Sequence, residues 1–145
     1  MNMIKKTDGF TLVELIVVIA ILAILAAIAV PAYSGYISKA NEASDQTQLD
    51  GIKTAAAFAY VDDVITADPT ADTDVTDVYV VVDATAALGI KVYVNVDPTT
   101  AGATATDIST YYTTFPGFNS DKFATGAQWH NGGEWDTYPT PVAGS

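Results

Sequence analysis

The sequence predicts an α+β chain: a long N-terminal α-helix, its first half membrane-spanning and its second half amphipathic, packed against a small antiparallel β-sheet head. Three observations carry this. No charged side chain falls between Leu15 and Ser38, and a helix over that stretch is about 36 Å long, enough to cross the roughly 30 Å hydrocarbon core of a bilayer. Beyond it, polar residues recur at helical spacing as far as about residue 61. Further on, Ile90, Val92, Val94 and Val96 alternate with Lys91, Tyr93 and Asn95, the period-two pattern of a half-buried strand.

Composition narrows the functions open to such a chain. With 145 residues, a spanning segment leaves room for about one globular domain. Seventeen acids against six lysines give a net charge of -11, which repels nucleic acid and anionic lipid, so direct nucleic-acid binding is not expected. There is no cysteine, hence no disulfide framework and no thiolate zinc site. A nucleophile elbow, a phosphate-binding glycine loop and a second histidine are all missing from the sequence. Neither an enzyme nor a cofactor is therefore expected.

The N-terminus holds the most specific signal. Lys5 and Lys6 lie in a short leader, followed by Gly9-Phe10-Thr11-Leu12-Val13-Glu14-Leu15 and an apolar run to Ala32. A secretory signal peptide cut at Ala27-Ile28-Ala29 leaves Glu14 unexplained, as does an ordinary single-pass anchor, because an acid at the front of a spanning helix is costly and needs a partner. The order of basic leader, Gly, Phe, Thr, two apolar residues, Glu and a long apolar helix resembles the N-terminus of type IV pilins and their pseudopilin relatives, with a class III signal peptide. The resemblance covers about the first 60 residues.

That resemblance implies a leader over 1–9, cut by a prepilin peptidase between Gly9 and Phe10, and N-methylation of Phe10. A glycine before the cut lets the peptidase approach the backbone closely. It also implies that Glu14 pairs with the new amino group of Phe10 on a neighbouring subunit during filament assembly. The implied partners are the chain itself, the peptidase, an assembly platform with its ATPase, and the inner membrane before assembly. The implied location is a single-pass inner-membrane precursor and then an extracellular pilus serving adhesion, aggregation or twitching motility; the alternative is a pseudopilin of a type II secretion or DNA-uptake system. Loss of the leader removes Lys5, Lys6 and Asp8, a net +1, and leaves a side-chain charge of -12.

The helix is expected in two parts, a spanning and filament-core segment over 10–32 and an amphipathic segment over 33–61. Pro31 in the helix interior cannot donate to the carbonyl of Ala27, so a kink or locally melted segment is expected there. Gly51 marks a second bend. Lys39, Glu42, Gln46, Asp50 and Lys53 fall on one face, with Ile37, Ser44, Ile52, Ala55 and Ala59 opposite. The aromatics Phe10, Tyr33, Tyr36, Phe58 and Tyr60 read as packing between subunits.

The head, 62–145, opens with an acidic stretch read as a solvated loop broken by Pro69. Asp62, Asp63, Asp68, Asp72 and Asp74 are weak calcium candidates there, without the spacing of an EF-hand. Strands are expected at Val78 to Val82 and Ile90 to Val96, with a loop or one helical turn between them. A brief helix capped by Thr106 reaches Tyr112. A C-terminal hairpin pairs Phe123 to Trp129 with Glu134 to Tyr138 around His130-Asn131-Gly132-Gly133, which places His130 in an exposed turn. Phe115, Phe118, Phe123, Trp129, Trp135 and Tyr138 are expected to close the sheet onto the helix, in place of the C-terminal disulfide that many type IV pilins carry.

Overall fold

The computed structural model describes residues 9–124, 127–131 and 133–138. Its elements are helix α1 (Leu12–Ala67), strands β1 (Val78–Val82) and β2 (Ile90–Val94), the short helix α2 (Asp121–Ala124), and strands β3 (Ala127–His130) and β4 (Trp135–Tyr138). The chain divides into two compact units, one up to Ser38 and one from Lys39 onward.

In the first unit α1 is apolar on every side and exposed throughout. It is long and apolar enough to cross a membrane. Helical structure runs through Pro31 without a break, so the locally melted segment expected there is not found. The proline removes a single ladder bond, and the turns on either side are kept. The Ser34 hydroxyl donates to the Pro31 carbonyl at 3.0 Å.

The second unit is an α+β head. Its sheet has the order β2-β1-β3-β4, all neighbours antiparallel. Val80 sits opposite Val92 on one side and Gln128 on the other. Side chains alternate across a strand, so Val78, Val80, Val92 and Val94 face one way and pack with Leu49, Ile52, Ala56 and Ala59 of α1. Those four helix positions follow i, i+3, i+7, i+10, the spacing of a single helix face.

Several expectations are corrected. Helix α1 runs to Ala67 rather than stopping near 61, because its natural stop is Pro69, which disfavours helical geometry at the residue before it. Asp62 and Asp63 therefore belong to the helix, and the acidic loop begins at Asp68. The buried stripe contains Asp45 and Leu49 but neither Ser44 nor Ile37, both of which are exposed. Strand β2 ends at Val94 because Asn95 adopts a left-handed backbone, φ 56°, which ends strand geometry. The Asn95 amide oxygen then receives the backbone N–H groups of Thr76 and Asp77.

Thr106 caps no helix. Its N–H bonds the Val92 carbonyl as an isolated bridge to the sheet, and a single turn follows at Ile108. Phe123 lies in α2, not in a strand; the Ser120 carbonyl accepts from the N–H groups of Phe123 and Ala124 and closes that turn.

His130 ends strand β3 and is buried, not an exposed turn residue. In register with Val78 and Trp135, it shares the inward face. Phe123 and Trp135 are buried as expected, while Phe115 and Phe118 pack on the rim of the core. Trp129 is only half-buried and stacks on Tyr79, ring planes 13° apart. Gly132, the Tyr138 side chain and the tail from 139 lie outside the described residues.

Candidate processing and assembly site

Gly9 and Phe10 precede the first helical residue and are exposed, Phe10 at 94 %. Nothing lies within 4 Å of the Cβ position of Gly9. The Gly9–Phe10 bond is thus accessible, outside regular structure and sterically open, which is what a peptidase needs to draw a segment into extended geometry.

Thr11 and Glu14 then start the helix as a reciprocal pair. The Thr11 N–H donates to Glu14 Oε2 at 2.8 Å, and the Glu14 N–H donates to Thr11 Oγ1 at 3.3 Å. This is a capping box, with each side chain satisfying a backbone donor that the first helical turn leaves free. The sequence reading did not include it, although Thr11-x-x-Glu14 ahead of an apolar run is the signal that would have found it. An acid in the first turn also faces the positive end of the helix dipole. Within one chain, then, the carboxylate of Glu14 has a local partner, and it stands at an exposed helix start. Cleavage after Gly9 would place an α-amino group on Phe10, one residue before the cap.

The calcium candidates are not brought together. Asp62 lies on α1 and accepts the Tyr111 hydroxyl at 3.3 Å. Asp68 accepts both the N–H and the hydroxyl of Thr70, and the hydroxyl bond chiefly holds its carboxyl below the usual carboxylate range. Asp72 accepts the N–H of Asp74. Among the described residues no three His, Cys, Asp or Glu side chains gather as a metal-ligand set.

A second cluster escaped the sequence reading. Asp45, 0 % exposed, accepts the N–H of Asn119 on both oxygens at 2.8 and 2.9 Å, and the N–H of Ser120 at 2.6 Å. One turn further on, Asp50 accepts the indole N–H of Trp135 at 2.9 Å. Lys53 Nζ lies 3.2 Å from His130 Nε2, so the ammonium donates to the unprotonated ring nitrogen. Burial first, and then Lys53, push the imidazole below its usual pKa. Helix α1 thereby holds the C-terminal half of the head through buried and half-buried polar contacts. The available signal was an acid at position 45, four residues before Leu49 on the apolar stripe.

The family model described as the prokaryotic N-terminal methylation motif matches residues 4–30. No curated protein and no solved structure matches the chain. The matched segment contains Gly9, Phe10, Thr11 and Glu14 together with most of the exposed apolar helix. Over residues 4–30 the chain is thus similar to the N-terminal motif of precursors of the type IV pilin and pseudopilin kind.

Proposed function

We propose that this chain is the structural subunit of a type IV pilus. A prepilin peptidase cuts between Gly9 and Phe10, Phe10 is N-methylated, and the mature chain waits in the inner membrane by its apolar helix. An assembly platform and its ATPase then stack copies into a filament whose core is the segment 10–32, bent at Pro31. The observation that carries this reading is the methylation motif over 4–30 on a helix whose apolar surface is exposed all round. A helix of that kind is stable only in lipid or against other helices. Head-to-tail contacts that do not close into a ring produce an open filament, and Glu14 sets its register by exchanging Thr11 for the amino group of a neighbouring Phe10.

The test is the N-terminal residue of the mature protein in material sheared from cells. N-methylated phenylalanine in that fraction is the expected result. An N-terminus near Val30 overturns the reading. A methylated chain retained in the cell envelope, with loss of a secreted enzyme on deletion, moves the assignment to a pseudopilin.

A further inference from the structure

Removal of the leader leaves four lysines in the chain, Lys39, Lys53, Lys91 and Lys122. Three are engaged within the molecule: Lys53 with His130, Lys91 with Asp83 at 2.7 Å, and Lys122 over the Phe123 ring. Lys39 is exposed and, among the described residues, makes no such contact. Three positions before it, on the same helix face, stands Tyr36, 72 % exposed.

The head displays a surface of the opposite character. Phe58, Asp62 and Ile65 stand at i, i+4 and i+7 of α1, so they share one face. Phe58 is 60 % exposed and Ile65 52 %. The Tyr111 ring packs against Phe58, centroids 6.0 Å apart, and its hydroxyl meets Asp62. This is an aromatic and aliphatic patch with a carboxylate at its centre, turned to solvent.

We propose that the Phe58–Asp62–Ile65–Tyr111 patch receives the Tyr36–Lys39 segment of a second copy of this chain, with Lys39 paired to Asp62. The contact is heterologous, since each chain carries both halves in different places, and repetition extends it along a polymer. Charge complementarity selects the occupant. Subunits of side-chain charge -12 after leader removal repel one another at close range, and like charges facing each other are disfavoured. Beside the new amino group of Phe10, which the filament reading gives to Glu14, Lys39 is the lysine this chain has left to bring to an acidic neighbour, and an anionic lipid surface would be repelled by Asp62 and Asp63. The proposal rests on the filament reading above and adds the contact outside the apolar core.

The chain has no cysteine, so a disulfide reports the contact directly. With full-length protein assembled in cells, Lys39→Cys combined with Asp62→Cys is expected to give a ladder of covalent multimers in sheared filaments under mild oxidation, and neither single variant gives one. Separately, Lys39→Glu is expected to lower filament yield about fivefold or more, and adding Asp62→Lys to the same chain restores it. Normal filaments without the ladder, or Lys39→Glu assembling like the wild type, overturn the contact and leave the filament reading standing. A wild-type chain that builds no filament overturns both.

Discussion

Two carboxylates on one helix, Glu14 and Asp45, show how differently the two units of this chain are organised. Glu14 is answered from three residues away by Thr11, at an exposed helix start in a unit with no buried residue among those described. Asp45 is answered from 74 and 75 residues away by the backbone of Asn119 and Ser120, inside a packed head. A carboxylate satisfied locally can change partner without disturbing a fold. One satisfied at long range cannot, because its removal leaves the N–H of buried Ser120, and that of Asn119 beside it, without an acceptor. The first unit keeps its apolar surface available for other molecules; the second spends its helix acids on holding itself together.

The sharpest way to break this contrast is to delete each acid in turn. Glu14→Ala is expected to be cleaved, methylated and inserted but to build no filament, while the unfolding midpoint of the head stays at the wild-type value. Abundant normal filaments in electron micrographs would remove Glu14 from assembly. Asp45→Ala is expected to do the reverse to the head, destabilising it by about 3 kcal/mol, since two or more charge-assisted bonds disappear; denaturant unfolding of the full chain in detergent measures this.

Smaller effects test the same arrangement further along α1. Asp50→Ala leaves the indole N–H of a buried Trp135 without its acceptor and is expected to cost about 1–2 kcal/mol. A shifted tryptophan emission spectrum in the folded state should accompany it. The smallest effect concerns pH. His130 in the folded head has a pKa lowered from 6.5, so the unfolded chain binds the proton more readily. The associated stability is complete above about pH 6.5 and is lost as pH falls from there towards the folded pKa. His130→Gln is expected to flatten that part of the stability profile. An unchanged slope between pH 7.5 and 5.5 would place His130 away from Lys53 in solution.

The difference between the units also decides what could be read in advance. The apolar run and the strand at Val78 to Val82 are local patterns, and so is the Thr11-x-x-Glu14 cap that the sequence reading passed over. Each shows in the order of neighbouring residues, because helix capping and strand alternation act over two to four positions. Asp45 was missed because an acid on an apolar stripe looks like an interruption until its partners, more than 70 residues on, are known. His130 was misplaced for a related reason. Next to Asn131 and Gly132 it looks like part of a turn, but pairing of β3 with both β1 and β4 extends the strand through it and turns the imidazole towards Lys53.

The sequence by itself determined the methylation motif, a helix long and apolar enough to cross a membrane, and the strand segments β1 and β2, since these depend on composition and on contacts within a few residues. Only the tertiary structure decided the sheet order β2-β1-β3-β4, the burial of Asp45 and the pairing of Lys53 with His130. Those depend on which distant segments share a face, and that is settled when the head closes on α1 and its buried polar groups must find partners.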